Sequence, residues 1–314
     1  VCQLYAKQIR HRGNVRYNTK NGRKRLMKLL EEDKLGGCPI DSVKLSDAKE
    51  WAIRMKEKGI SYKTISNDKR SLKAAFYTAI QDDCIRKNPF DFQLNTVIED
   101  DTEPKVPLTP AQEESFLSFA QNDKVYQKYY DELIILLGTG LRISELCGLT
   151  DTDIDFENRI INVDHQLLRS AKTGYYIETP KTKSGIRQIP MSEKVYEAFN
   201  RVLKRRRGAK AVTIDGYSNF LFLNRDGYPK TATNYDGMFR GHAKKYNKYH
   251  EEALPKVMTP HTLRHTFCTN MANAGMNPKA LQYITGHSNI TMTLNYYAHA
   301  TFDSAKAEML RIAA

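Results

Sequence analysis

The sequence predicts a mainly helical, α+β protein: two domains, with one small antiparallel β-sheet in the second. Three observations carry this. Apolar residues recur at helical spacing through most of the chain. Short alternating or β-rich segments are confined to 159–163, 175–178 and 187–189. An acidic stretch with two prolines and no periodicity, 96–107, divides the chain as a linker. A length of 314 residues with 40% hydrophobic content is enough for two cores.

The first domain, 1–95, reads as several helices. Leu26, Leu29 and Leu30 form an apolar stripe. Ser46 is placed to cap a helix over 47–58 that stops at Gly59. Ser61 opens the next helix, with Ile65, Leu72, Ala75, Phe76 and Ile80 at helical spacing. The same helix carries Lys63, Lys69, Arg70 and Lys73, a row of cations suited to phosphates. Asn88-Pro89 closes the domain.

The second domain, 108–314, opens with Thr109 as N-cap and Pro110 in the first helical turn. Helices are expected over 129–137 and, after Gly138-Thr-Gly140, over 142–147. The three β-rich segments are expected to pair in one sheet, with Lys181-Thr-Lys183-Ser-Gly185 in the turn joining the last two. A helix over 192–207 ends in a basic run, 220–223 is a short apolar piece, and helices resume at His261.

The formal charge is +13 and it is uneven. Residues 1–95 hold 21 Lys+Arg against 11 Asp+Glu, 96–107 hold one against four, and 108–314 hold 27 against 21. A polyanion, and nucleic acid first among them, is the partner this implies. There is no apolar run of about 18 residues and no apolar signal segment, so a cytoplasmic protein without a membrane span is expected. The five cysteines form no CxxC pair, which suits reduced thiols rather than a cysteine-built zinc site. A start at Val1 rather than Met reads as a chain whose N-terminal piece has been removed.

The candidate chemistry lies in two blocks. His261-Thr-Leu-Arg264-His265 places a histidine and an arginine three apart on one helical face. Such a pair can grip a phosphate through two guanidinium hydrogen bonds and an imidazole. His261 and His265 also have the i, i+4 spacing of metal-binding helices, but the zinc motif requires Glu where this chain has Thr262. Thr139-Gly-Leu-Arg142-Ile-Ser-Glu145 supplies a second arginine at a helix start, with Glu145 one turn on to orient it or His261, or to form an ordinary surface pair. Gly286-His287 adds a histidine, and Tyr296-Tyr297 follows ten residues later.

In that order, Arg142, Lys181, His261, Arg264, His287 and Tyr297 make the chain resemble the tyrosine recombinase (lambda-type integrase) family over essentially its whole length, and most of all the integrases of conjugative transposons. The resemblance is strongest from Met258 to His299, in 139–149, and in Pro-Lys181-Thr-Lys-Ser-Gly-Ile-Arg-Gln-Ile-Pro. It implies a helical core-binding domain and a catalytic domain that clamp duplex DNA, preceded by a small arm-binding domain. It implies cleavage and rejoining through a 3′-phosphotyrosine link, without cofactor or metal, to excise and integrate a mobile element in a bacterial host.

By the same resemblance Arg142 and Arg264 would hold the scissile phosphate. His261 and His287 would hydrogen-bond it or move the nucleophile's proton, Lys181 would protonate the leaving oxygen, and Tyr297 would attack. Tyr296 remains a rival nucleophile and Lys183 a rival acid. The partners implied are transposon-end and crossover DNA, an excisionase, a DNA-bending protein, and further copies of the chain in a synaptic tetramer held by the tail, 301–314. Alternatives of other classes are a DNA-binding protein with the fold but no catalysis, and a relaxing enzyme of the type IB topoisomerase kind.

Overall fold

The computed structural model describes residues 1–11, 15–103, 106–206, 212–250, 253–255, 257–297 and 309–310. They form two compact units, Val1–Pro104 and Lys105–Ala314. The first is built from α1 (Cys2–His11), α2 (Tyr17–Glu31), the single turn α3 (Lys34–Gly37), α4 (Leu45–Glu57) and α5 (Tyr62–Gln81). Its core gathers Leu26, Leu30, Trp51, Phe76 and Phe90, with Trp51 and Phe90 edge-to-face at 5.7 Å. Each fully buried side chain of this size contributes roughly 1.5–3 kcal/mol.

Two expected boundaries move. Helix α4 starts at Leu45, before Ser46, because the Asp47 carboxylate accepts the Lys44 amide at 2.8 Å and does the capping itself. The linker expected from residue 96 begins later, because Leu94 and Ile98 are buried in the first core and Leu94–Thr96 forms a 3-10 turn. Leu108 already packs in the second core.

The second unit begins with α6 (Pro110–Asn122), where Thr109 and Gln112 cap one another. α7 (Tyr130–Thr139) and α8 (Ile143–Gly148) follow. The strands are β1 (Ile154–Asp155), β2 (Ile160–Val163), β3 (Gln166–Ser170), β4 (Gly174–Glu178) and β5 (Arg187–Pro190). They make two antiparallel sheets, not one: β1-β2-β5, with Ile161 opposite Ile189, and a separate β3-β4 hairpin, with Leu167 opposite Ile177. Lys181 therefore lies in a crossing from one sheet to the other, and not in a hairpin turn. The alternation of 175–178 was legible, but its partner at 166–170 was not, because Gln-Leu-Leu-Arg-Ser does not alternate.

After α9 (Glu193–Arg206) come short bridges at Phe220 and Leu223, then α10 (Ala232–Tyr249), a helix the sequence reading did not anticipate. α11 (Pro260–Asn273), α12 (Pro278–Thr285) and α13 (Ile290–Leu294) complete the described chain. α7 is apolar nearly all round because it is buried nearly all round, packing on α6, α9 and α11. No described helix is long and apolar enough to cross a membrane.

Candidate active site

α7 ends at Gly140, which adopts φ +62; a Cβ there would also meet the Phe267 ring at 2.3 Å. This sharp stop puts Arg142 at the N-cap of α8. The Glu145 carboxylate accepts both the Arg142 amide (2.9 Å) and its guanidinium (2.7 Å). Glu145 is 3% exposed, so of the alternatives an ordinary surface pair is excluded and the carboxylate is a buried partner of Arg142.

Its second partner is Arg187 on β5, whose guanidinium donates to both Glu145 oxygens at 3.1 and 2.8 Å. Burial pushes the Glu145 carboxyl up, but the Arg187 hydrogen bonds and the charges of Arg187 and Arg142 outweigh it and hold it below its ordinary value.

The C-terminus of α12 collects these arginines. A helix end leaves unsatisfied carbonyls and a partial negative charge. Here three consecutive carbonyls each accept from a different element: Ile284 from Arg187 (2.6 Å), Thr285 from Arg264 on α11 (2.5 Å), and Gly286 from Arg142 (3.1 Å). Arg264 also donates to the Gly140 carbonyl at 2.5 Å, so the ends of α7 and α12 are bridged by one side chain. Gly286 has φ +64, and a Cβ on it would meet the Ser184 carbonyl at 2.8 Å, so only glycine lets the crossing approach. Arg264 is 3% exposed; burial, then the nearby Arg142, pushes its guanidinium down to about 10.

His287 follows this cluster and is 4% exposed. Its Nδ1 faces the Thr285 and Thr293 hydroxyls at 3.1 and 2.9 Å. The Thr285 hydroxyl donates to the Leu281 carbonyl at 2.6 Å, so toward His287 it offers a lone pair. The Thr293 hydroxyl is the other partner of Nδ1, so the two threonines fix the ring while its Nε2 edge is left without a protein partner of this kind among the described residues. Burial first, then Arg264, Arg142 and Arg187, push the imidazole down to about 4. His261 is exposed at the first turn of α11 and close enough to add to that shift.

The two tyrosines are held differently. Tyr296 lies edge-on to His265 at 4.9 Å and parallel to His287 at 6.4 Å; burial and then Cys268 push it up to about 12. Tyr297 donates its hydroxyl to the Met276 carbonyl at 2.5 Å, and burial followed by Cys268 raises it. The structure thus gathers Arg142, Arg264, His287 and Glu145, with His261 beside them, while the Tyr297 hydroxyl is engaged at the end of α11. Lys181 and Lys183 are both exposed on the crossing, and nothing in their positions separates them. His299 and most of the expected tail, 301–314, lie outside the described residues; Met309 and Leu310 are exposed.

Arg187 was missed from sequence. The signal was available: Arg187 and Ile189 are two apart on a strand and share its buried face, and a buried arginine requires partners. In the first unit the expected cation row is uneven. Lys63 and Arg70 are exposed, but Lys69 lies over the Phe92 ring at 4.4 Å and Lys73 pairs with Asp91 at 2.5 Å. Among the described residues, Asp153, Asp164 and His165 offer metal-ligand atoms within 4.8 Å of one another. His165 Nδ1 already meets Asp164 at 2.6 Å and its Nε2 the Gly148 carbonyl at 2.8 Å, so this group is a closed hydrogen-bond set.

A buried arginine cluster with surplus positive charge, next to histidine and tyrosine, has the composition that phosphoryl transfer by a tyrosine nucleophile requires. The phage integrase family model matches residues 107–304. The chain is 68% identical to the transposase from transposon Tn916 of Enterococcus faecalis over 312 residues, covering 99% of this chain and 77% of that protein. The structure is similar to that of the Tn1549 transposon integrase in complex with a circular intermediate DNA, with a TM-score of 0.94 at 77% identity, covering 99% of this chain and 98% of that one. A lambda integrase dimer bound to a core site shares the fold at a TM-score of 0.62 and 16% identity, over 96% of this chain and 77% of that one.

The chain belongs to the phage integrase family. It is a tyrosine-type, site-specific DNA recombinase of the kind that excises and integrates mobile elements.

Proposed function

We propose that the arginine cluster holds a scissile phosphate of duplex DNA at a transposon end and that Tyr296, which lies parallel to His287 and within the field of Arg264, attacks it in place of the expected Tyr297. The observation that carries this is the charge balance at the end of α12: three guanidiniums against one carboxylate, a surplus of two positive charges. A phosphodiester brings one negative charge, and more develops on its non-bridging oxygens at the pentacoordinate transition state. Arg142 and Arg264 bind those oxygens and His261 adds a hydrogen bond. Glu145 orients Arg142.

The Tyr296 hydroxyl meets the phosphate and its proton passes to the neighbouring His287, while Tyr297 stays on the Met276 carbonyl. The tyrosyl oxygen bonds to phosphorus, the bond to the 5′ oxygen breaks, and Lys181 supplies the proton to that leaving oxygen. The products are a 3′-phosphotyrosine and a 5′ hydroxyl. The ester bond is conserved in the link, so a 5′ hydroxyl of another strand reverses the step without a nucleotide cofactor.

Lys63 and Arg70 lie on phosphates in the first unit. Strand exchange takes place in a tetramer held by the tail, with an excisionase and a DNA-bending protein setting direction, in the bacterial cytoplasm.

The test is a suicide duplex nicked near the crossover. Tyr297→Phe forms the covalent protein–DNA complex and Tyr296→Phe does not; the opposite pattern transfers the nucleophile to Tyr297.

A further inference from the structure

The geometry points to Arg187 as a positioning residue that sets the charge of the catalytic cluster: by taking Glu145, it leaves Arg142 and Arg264 free to act as cations on the phosphate. The inference rests on the placement of the phosphate at those two arginines.

Arg187 is buried, its side chain 0% exposed, and it uses four of its five N–H groups. Nε donates to the Ile284 carbonyl, one terminal nitrogen to the Gly185 carbonyl (3.0 Å) and Glu145, and the other to Glu145. One planar group therefore joins α8, the Lys181-bearing crossing and the end of α12. Gln188, its neighbour, donates its amide to the Tyr283 hydroxyl at 3.3 Å, a second tie from β5 to α12. A lysine has one nitrogen and no fixed fork, so it cannot reproduce this set.

The electrostatic consequence is the larger one. Glu145 is the only carboxylate hydrogen-bonded to Arg142 among the described residues, and Arg264 donates only to carbonyls. With Arg187 present, the Glu145 charge is shared and the cluster keeps a surplus of two. Without it, Glu145 would be spent on Arg142 and the surplus would fall to one, in a buried site where such a change is weakly screened. Arg187 touches no substrate in this arrangement; it neutralises the counter-ion of a residue that does.

The two halves of the pair then have unequal effects, which a purely structural ion pair would not show. Arg187→Gln is expected to slow single-turnover covalent-complex formation by about 100-fold while gel-shift affinity for the same duplex holds. Glu145→Gln, which leaves the cations in place, is expected to slow it by only about tenfold. The double variant Arg187→Gln, Glu145→Gln is expected to cleave at least about tenfold faster than Arg187→Gln alone.

The double variant also covers the case in which Arg187→Gln fails to fold, because it removes the Glu145 carboxylate that Arg187→Gln would leave without its buried partner. Folded and cleaving within about tenfold of the parent, it supports the inference; folded and inactive, it overturns it. Equal losses in the two single variants, or full activity of Arg187→Gln, overturn it as well. The readout is total covalent complex, whichever tyrosine forms it, so a wrong nucleophile assignment would not imitate either result.

Discussion

His242 and His287 both lie in the second unit, and burial drives both imidazoles down to about 4. His242 is 0% exposed on α10, between Phe116 at 4.3 Å, Phe119 at 5.0 Å and Tyr126 at 5.0 Å. Neither of its ring nitrogens has a hydrogen-bond partner of good geometry. It packs as one more ring among the aromatic side chains around it. His287 has Nδ1 held by two threonines and feels three arginines. The same shift thus marks a core position in one place and a histidine beside the arginine cluster in the other. What separates them is the hydrogen bonding of Nδ1 to two threonines and the three cations close by, both absent around His242 among the described residues.

The largest way to break this contrast is to remove a cation from the His287 side. Arg264→Lys cannot reach the Gly140 and Thr285 carbonyls together, and covalent-complex formation is expected to fall by about 1000-fold. A loss below tenfold would mean the cluster is not the phosphate site.

Next, His287→Gln is expected to cost about 100-fold in single-turnover cleavage. With a pKa of about 4 the parent imidazole stays neutral as pH falls from 8 to 5, so His287 imposes no loss of rate across that range. A decline centred near 6.5 that disappears in His287→Gln would contradict the shift.

The smallest effect on catalysis is expected at the other histidine. His242→Phe should leave cleavage unchanged and alter stability alone. His242 takes a proton near 6.5 when unfolded but only near 4 when folded, so its contribution is intact above about 6.5 and is lost as pH falls toward 4. The loss amounts to about 3 kcal/mol at the low end. Calorimetric melting at pH 7.5 and 5 should show a smaller acid-induced drop in Tm for His242→Phe than for the parent. An equal drop would mean the ring is already protonated or solvated.

Local chemistry was legible in the sequence because its signals are short-range. Thr109-Pro110 and Ser61 stand just before helices as expected, although only the Thr109 side chain makes a cap hydrogen bond, and Gly59 and Gly140 follow helices in the left-handed conformation. The motif residues Arg142, Glu145, Arg264 and His287 were all singled out. Pairings between distant segments were not legible. The segment 175–178 was assigned to one sheet with 159–163 and 187–189 and its true partner, β3, was not seen, so the crossing that carries Lys181 was mistaken for a turn. α10 was missed because its stretch mixes polar and aromatic residues with two glycines, and only packing on α6, α8 and α11 selects the helix.

By itself the sequence determined which side chains could do phosphoryl transfer and where the chain would turn to present them, since residue type, capping and glycine conformations act over a few positions. Only the tertiary structure decided that Glu145 is shared with Arg187, that three arginines meet three successive carbonyls, and that Tyr297 rests on Met276. Those facts depend on which helix end is buried against which strand. Burial there removes water as the alternative partner, so each charge must find its match across the fold.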